Sequence, residues 1–287
     1  MSEIANILVW NMKGFSSKCD DGVKARRVNL LEDLIREHAP SVFALQEPVD
    51  DLSTRISSSI RGEYTIDALG TRSLVSGFLK TDWDRTEQPY QQKHAIMVTL
   101  KHTRVPDIVT QFWNVHLAPR DGTDKQTGSV TMLCDALKAH RLKAKLSGKK
   151  HSEIVAGDFN LNPFDRLMTD KDRLNANQSA SFVRGGRIME SHENHKMFNP
   201  AWQVLGRIKP PLGTFYADDK HYVGGPWHVF DQVLLSPEHY IQDHRPQAKL
   251  ITKVGKNTLY GKRAPTRKPN EDIGSDHFPL RVRFQIG

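Results

Sequence analysis

The sequence predicts an α/β fold in which two packed sheets are flanked by helices. Short apolar segments typical of buried strands recur along the chain, and most of them end at a polar side chain. Two longer segments show apolar residues at helical spacing, and no internal repeat or low-complexity linker divides the chain. The 287 residues, 38% of them hydrophobic, suffice for one large core, so we expect residues 1–287 to form a single domain.

The first elements follow directly from these patterns. Residues 4–10 are apolar and partly β-branched, which predicts a buried strand that ends at Asn11. Residues 24–38 carry apolar side chains at helical spacing, with a proline beyond them as a stop signal, and this helix should cover one sheet face. Residues 41–45 predict a second strand, which leads to Glu47.

The hydrophobic periodicity is less regular in the later part of the chain. The periodicity predicts a helix over residues 131–146. Strands at 95–100 and 108–115 are joined across a connection at 101–107, and the second leads to His116. A polar region without clear periodicity then extends to about residue 213. Further strands are predicted at residues 64–69, 74–79, 229–235 and 279–286.

One strand end stands out because it carries an acid and an amide. A short apolar run directly precedes Asp158, Phe159 and Asn160, and Pro163 then breaks the chain. Since alternate side chains of a strand share a face, we expect Asp158 and Asn160 to point the same way while Phe159 packs on the other side. A carboxylate and an amide projected together suit either a hard cation or an attacking water.

Composition and charge narrow the class of protein. The formal net charge of +8 indicates an anionic partner, with nucleic acid first and anionic lipid second. The cysteines, Cys19 and Cys134, argue against a disulfide-dependent framework. The first residues lack the features of a signal peptide, and no apolar stretch reaches the roughly 20 residues that span a bilayer. We expect a cytoplasmic monomer that does not insert into membranes and has no protein partner.

Polar motifs recur at the ends of the predicted strands. They are Trp10-Asn11, Leu45-Gln46-Glu47, Asn114-Val115-His116-Leu117, Gly157-Asp158-Phe159-Asn160, Phe230-Asp231-Gln232-Val233-Leu234 and Ser275-Asp276-His277. Taken in order, these motifs resemble the endonuclease/exonuclease/phosphatase superfamily, whose fold is DNase I-like. The resemblance implies a four-layer α/β sandwich, with two mainly antiparallel sheets packed face to face and helices outside. It also implies metal-dependent attack on a phosphate ester, with Mg²⁺ or alternatively Mn²⁺ as the cofactor.

The resemblance assigns a role to each acidic or amide residue near the metal. Glu47 is implied as a metal ligand, and Mg²⁺ typically takes one or two protein carboxylates while it keeps several waters. Asn11 resembles an amide near the metal or the phosphate, with a turn cap as its structural alternative. Asp276 either binds the metal or supports the site from behind. Asp158 activates or orients the attacking water, and Asn160 fixes that water or a phosphate oxygen.

The histidines complete the implied site. A protonated His277 opposes charge that develops on the phosphoryl oxygens, and Asp231 pairs with it and raises its pKa. His116 resembles the general acid of the deoxyribonuclease-like and sphingomyelinase-like branches, whereas abasic-site enzymes usually carry tyrosine there. Those enzymes also place an acid two positions after the asparagine, where this chain has Lys13. The chain therefore leans away from abasic-site repair.

Basic residues near the site suggest the substrate. A basic run between residues 249 and 268 leads into the last motif, and we interpret it as a mobile arm that follows a phosphate backbone. The sequence thus predicts a nuclease acting on DNA or RNA. A phosphomonoesterase or phospholipase of the same fold is the alternative, and a binding module without catalysis is disfavoured because every expected catalytic position is retained. The predicted substrate-binding residues are Arg120, Lys262, Arg263, Arg267 and Lys268.

Overall fold

Two large sheets carry most of the strands in this computed structural model, which describes residues 3–14, 20–67, 74–119, 123–185, 195–217, 225–239, 246–261 and 267–286. In chain order the strands are β1 (Glu3–Asn11), β2 (Val42–Gln46), β3 (Tyr64–Asp67), β4 (Leu74–Leu79), β5 (Trp83–Arg85), β6 (Tyr90–Gln92), β7 (Ala95–His102), β8 (Val105–His116), β9 (Lys150–Asp158), β10 (Ala176–Asn177), β11 (Met197–Phe198), β12 (Phe215–Tyr216), β13 (Trp227–His228), β14 (Asp231–Leu235), β15 (Gln247–Leu250), β16 (Lys253–Val254), β17 (Asn257–Thr258) and β18 (Leu280–Ile286). The helices are α1 (Asp21–His38), α2 (Leu52–Arg55), α3 (Ser58–Glu63), α4 (Thr123–Leu146), α5 (Arg166–Thr169), α6 (Ala180–Gly185) and α7 (Trp202–Leu205), with a 3-10 turn at Pro237–His239.

Both large sheets are mainly antiparallel. The first has the strand order β15-β18-β1-β2-β4-β3, and only its β1–β2 pair is parallel among the described strands. The second has the order β10-β11-β14-β9-β8-β7-β5, with β6 also paired to β7. In it β9 runs parallel to β8 and antiparallel to β14. The central strands of each sheet therefore end at a common edge.

The strand periodicity explains how one strand packs against the other sheet on one face and against a helix on the other. In β9, Ile154 and Ala156 belong to the main buried cluster between the sheets, while Val155 belongs to the cluster beneath α4. Inward-facing residues thus alternate with residues that face a helix. Continuous apolar runs such as that of β9 arise because both faces of the strand are covered.

The two predicted helices are present, but both begin earlier than predicted. α1 begins at Asp21 rather than at residue 24, because Asp20 caps it by accepting a hydrogen bond from the Val23 N–H over 2.7 Å. α4 begins at Thr123 rather than at residue 131. Its polar first turns include Gly128, a poor helix former, so the apolar stripe used for the prediction starts late.

Other boundaries also required correction. The predicted connection at residues 101–107 is shorter, since β7 continues to His102 and β8 starts at Val105. The basic run was interpreted as an arm, but residues 247–250 form an edge strand of the first sheet and β16 and β17 form a hairpin. The described part of residues 159–213 contains several short helices and strands rather than plain loop. No described helix is long and apolar enough to cross a membrane.

Candidate active site

Three polar side chains lie side by side in one row of the second sheet. In the strand register, His116 of β8 is opposite Asp158 of β9, and Asp158 is opposite Asp231 of β14. Directly opposite residues point to the same face of a sheet. Asn11, at the end of β1 in the first sheet, donates a hydrogen bond from Nδ2 to Asp158 Oδ2 over 2.9 Å. The strand ends that the sequence singled out therefore meet at one edge of the sandwich.

Asp158 is the centre of this arrangement. Its side chain is only 1% exposed, and Oδ2 lies 3.8 Å from Nε2 of His116 and 3.9 Å from Nε2 of His277. The second oxygen, Oδ1, accepts a hydrogen bond from the Asn160 N–H over 2.8 Å. The carboxylate is thus held in a fixed orientation, with one oxygen facing two imidazole rings.

Asn160 departs from the predicted strand geometry. β9 ends at Asp158, and Asn160 has a left-handed backbone with a φ of 50°. Its side chain donates from Nδ2 to the carbonyl oxygen of Leu117 over 2.9 Å. The predicted orientation of the Asn160 side chain is therefore wrong, and Asn160 contacts Asp158 through its backbone N–H. Phe159 is fully buried in the cluster beneath α4, as expected.

Gly157 allows β9 to approach β8 closely just before the site. Its φ is 148°, and a Cβ atom there would lie 2.0 Å from the carbonyl oxygen of Val115. A residue with a side chain would meet both the backbone strain and the steric clash. Glycine at this position therefore sets the spacing between the strands that carry His116 and Asp158.

His277 lies between the two carboxylates of the row. Its Nδ1 is 2.8 Å from Asp231 Oδ2, so the predicted contact is present, and Nε2 faces Asp158. Two carboxylates directly opposite on neighbouring strands repel each other, and a cationic ring between them offsets that repulsion. Burial lowers the pKa of His277, but the charges of Asp231, Asp158 and Asp276 raise it to about 10. The imidazole is therefore protonated at neutral pH.

Contacts from several elements hold His277 in place. Trp10 Nε1 donates to the His277 carbonyl oxygen over 3.2 Å, and the His277 N–H donates to Ser275 Oγ over 3.2 Å. The ring also packs against Phe215, with a centroid separation of 4.8 Å. Thr214 Oγ1 accepts from the first backbone N–H of β14 over 3.2 Å. No periodic pattern precedes Thr214 and Phe215, so the sequence does not indicate their contribution to the site.

Glu47 and His116 lie on the accessible side of the row. The distance from His116 Nε2 to Glu47 Oε1 is 3.6 Å, and their side chains are 20% and 31% exposed. Glu47 has a left-handed backbone with a φ of 44°, and its carbonyl oxygen accepts from the Gly14 N–H over 2.6 Å. Both side chains are therefore more accessible to solvent than that of Asp158.

A buried amide pair behind Glu47 links the two sheets. Gln46 Nε2 donates to Asn114 Oδ1 over 2.7 Å. Asn114 Nδ2 in turn donates to the carbonyl oxygen of Val75 over 3.0 Å and to Ser76 Oγ over 3.1 Å. No role was predicted for Asn114, although a polar residue inside an apolar strand signals such a bond. The pair fixes the separation of the strand ends.

Asp276 and Asn11 both contact Lys13. The Asp276 carboxylate forms an ion pair with Lys13 Nζ over 2.6 Å, and Asn11 Oδ1 accepts from the Lys13 N–H over 3.0 Å. Burial acts to raise the pKa of Asp276, but His277 and Lys13 lower it below its usual value. Two of the three residues that the resemblance assigned to the metal are thus already engaged with Lys13.

The residues present fit a divalent cation at one carboxylate only. Within the described ranges, no group of three or more His, Cys, Asp or Glu side chains is arranged to hold a metal ion. Glu47 fits, because its partly exposed carboxylate suits a cation that takes few protein ligands and keeps its waters. Asn11 and Asp276 do not fit as ligands in this arrangement, since their oxygens already accept from Lys13.

Two predicted substrate-binding residues lie beside aromatic rings. The Arg267 guanidinium is 5.5 Å from the ring centroid of Tyr260, and Lys268 Nζ is 5.8 Å from that of Tyr216. Tyr216 belongs to β12, whose other residue packs against His277. Lys268 therefore lies beside the strand whose Phe215 packs against His277. The remaining predicted residues, Arg120, Lys262 and Arg263, lie outside the described residues.

A comparison with protein families agrees with the resemblance that the strand-end motifs indicate. A model of the Endonuclease/Exonuclease/phosphatase family matches residues 8–277. The match spans β1 to His277 and so includes every strand end of the site. No curated protein matches the chain by sequence.

Solved structures share the fold at low sequence identity. TDP2 of D. rerio, complexed with a single-strand DNA product, is 15% identical over 98% of each chain, with a TM-score of 0.58. A family protein from Bacteroides thetaiotaomicron is 15% identical over 100% of this chain and 96% of its own, with a TM-score of 0.61. The human Nocturnin catalytic domain with bound sulfate is 14% identical over 99% of this chain and 97% of its own, with a TM-score of 0.54. The predicted four-layer sandwich is confirmed.

Proposed function

The chain belongs to the Endonuclease/Exonuclease/phosphatase family, and we propose that it is a metal-dependent phosphodiesterase that hydrolyses the backbone of DNA or RNA. Enzymes of this family hydrolyse phosphate esters and are generally dependent on divalent metal ions. One observation carries the proposal: His116, Asp158 and Asp231 form a single row, with His277 between the two carboxylates. A base and a cation are thereby fixed side by side.

Asp158 is the base that receives the proton of the attacking water. Its Oδ2 faces the space between the two imidazoles, and hydrogen bonds from Asn11 and Asn160 orient the carboxylate. A positioned general base typically accelerates such a step by about 10²- to 10⁴-fold. Because Asp158 is buried and held at both oxygens, little reorganisation is needed when the water attacks.

His277 stabilises the charge that develops on the phosphoryl oxygens. Its Nδ1–H is used by Asp231, so Nε2–H is left to point toward the reacting phosphate. The buried position strengthens this interaction, because a preorganised charge acts more strongly away from bulk water. Asp231 is thus a positioning residue that fixes the ring and maintains its charge.

His116 and Glu47 act on the opposite, accessible side of the row. His116 is within reach of a leaving oxygen and is proposed as the general acid. Glu47 would hold the metal ion, which when bound supplies electrostatic polarisation of a phosphate oxygen. His116 Nε2 lies 3.6 Å from Glu47 Oε1, so the proton donor is next to the carboxylate that would hold this ion.

Charge and aromatic side chains favour a nucleic acid substrate. The chain has a formal charge of +8, and two of its cations lie beside Tyr216 and Tyr260. Phosphate contacts next to aromatic rings suit single-stranded nucleic acid, since cations follow the backbone while rings stack on bases. The similarity to D. rerio TDP2, solved with a single-strand DNA product, supports this substrate class.

Hydrolysis of a mixed substrate panel tests the proposal. Purified protein with Mg²⁺ or Mn²⁺ is incubated with single-stranded DNA, RNA, phosphoinositides and sphingomyelin. We expect cleavage of nucleic acid that is lost in Asp158→Asn and retained in Asp170→Asn, an accessible carboxylate paired with Arg166. Cleavage of headgroups alone would instead support the phosphomonoesterase or phospholipase alternative. Full activity of the Asp158 variant would contradict the assigned base.

A further inference from the structure

Lys13 is held rigidly next to the active site. It follows β1 by two residues and has a left-handed backbone with a φ of 51°. Its N–H donates to Asn11 Oδ1 over 3.0 Å, and its carbonyl oxygen accepts a short hydrogen bond from the Arg27 guanidinium. A lysine rarely adopts this conformation, and it persists only where surrounding contacts enforce it. Both backbone polar groups of Lys13 are fixed in this way.

Arg27 ties Lys13 to the loop that carries Asp276. Arg27 is a buried residue of α1, and its Nε donates to the carbonyl oxygen of Gly274 over 2.6 Å. One guanidinium thus bridges the segment after β1 and the segment before His277. The relative position of Lys13 and Asp276 is therefore set by a buried clamp.

The Lys13 ammonium is engaged by two carboxylates. Its Nζ lies 2.6 Å from Asp276 Oδ2 and 3.1 Å from Glu271 Oε2. The other oxygen of Asp276 accepts from Ser275 Oγ over 3.1 Å. Both oxygens of Asp276 thus have partners among the described residues. An ammonium has three donors, and the described residues accept from two of them, which leaves the third available to an oxygen of the substrate.

We propose that Lys13 is a built-in cation of the active site, which occupies Asp276 in place of a metal ion, so that the chain binds one divalent cation at Glu47 and none at Asp276. The inference rests on the proposed function. It gives Lys13 two tasks: neutralising Asp276 and contacting a phosphate oxygen with its remaining N–H. The resemblance assigned Asp276 to the metal or to support, and the ion pair selects support.

Metal stoichiometry without substrate tests this directly. Mn²⁺ binding, measured by calorimetry and by electron paramagnetic resonance, should give one ion per wild-type chain. Glu47→Gln should lower the affinity for that ion by at least about tenfold, because the variant loses a carboxylate ligand. Lys13→Asp, which exchanges the ammonium for a carboxylate beside Asp276, should bind a second ion. Lys143→Asp is the control, because this exposed lysine pairs with Glu87 at 3.5 Å, and it should still bind one.

A conservative variant keeps the test decisive if Lys13→Asp fails to fold. Asp276→Asn retains the shape of the side chain, and we expect its Mn²⁺ stoichiometry to remain at one ion per chain. Two ions in the wild type, loss of an ion in Asp276→Asn, or no binding at all would overturn the inference. Hydrolysis is assayed separately: one bound ion without cleavage of any phosphate ester would refute the proposed function while leaving the role of Lys13 supported.

Discussion

Replacing Asp231 with asparagine keeps the side-chain shape and removes the charge that best stabilises protonated His277. A histidine pKa raised from 6.5 to about 10 corresponds to roughly 5 kcal/mol in favour of the charged ring. Among the carboxylates near His277, Asp231 makes the largest contribution, at 2.8 Å. A hydrogen bond to a charged group contributes about 1.5–3 kcal/mol. In Asp231→Asn the pKa of His277 should therefore fall to about 8.

The expected result is a loss of activity that appears on the alkaline side. At pH 6.5 His277 is protonated in both proteins, so this effect is absent there. At pH 9 the wild-type ring remains protonated, whereas in the variant only about one ring in ten is protonated. The variant should therefore lose about a further tenfold in kcat/KM at this pH. The assay is kcat/KM for a nucleic acid substrate from pH 6 to 10, beside a nuclear magnetic resonance titration of the imidazole. An unchanged alkaline limb would refute the reasoning.

The same substitution should alter the pH dependence of stability. Since the pKa of His277 is about 10 in the folded chain and 6.5 when unperturbed, its contribution is fully present below pH 6.5. Between these values the folded state binds more protons, so the free energy of unfolding falls as pH rises. Urea denaturation at pH 6 and pH 9.5 should show a smaller fall in Asp231→Asn than in the wild type. Equal falls would show that the pair does not control this proton.

Three further substitutions have defined outcomes. Asp158→Asn should lower kcat by about 10²- to 10⁴-fold while the protein still unfolds in one cooperative transition. Gly157→Ala should lower the free energy of unfolding, measured by urea denaturation, by more than about 3 kcal/mol, since its Cβ would meet Val115. Gly255→Ala is the control: it has a φ of 54° but open space for a Cβ, and it should lower the free energy of unfolding by only about 1–2 kcal/mol. Arg267→Ala should weaken nucleic acid binding and reduce the slope of log K against log salt by about one, as one lost phosphate contact does. An unchanged slope would exclude that contact.

The sequence predicts the fold well because strand patterns and site motifs coincide. β1 and β9 are apolar on both faces and end at Asn11 and Asp158, so each pattern locates both the core and the site. The predicted contact between Asp231 and His277 is present, although 46 positions separate the residues. Hydrophobic periodicity identifies strands, and polar residues at their ends identify the edge that carries chemistry.

Local backbone exceptions and distant pairs could not be predicted in the same way. Asn160 looks like a strand residue from its neighbours, but its left-handed backbone turns the side chain toward Leu117. Lys13 and Asp276 are 263 positions apart, and no pattern in either segment indicates their ion pair. Such contacts depend on how loops are packed after the strands have paired, which periodicity does not describe.

The cross-strand row ties activity to the integrity of the whole sandwich. Asp158 and Asp231 are opposite each other in β9 and β14, and both strands lie inside the second sheet. Local fluctuations that open edge strands or loops leave such central ladders closed, and their amides exchange with solvent only on global unfolding. Heat inactivation should therefore follow the global melting curve, without an earlier stage in which the protein is folded but Asp158 and Asp231 have separated.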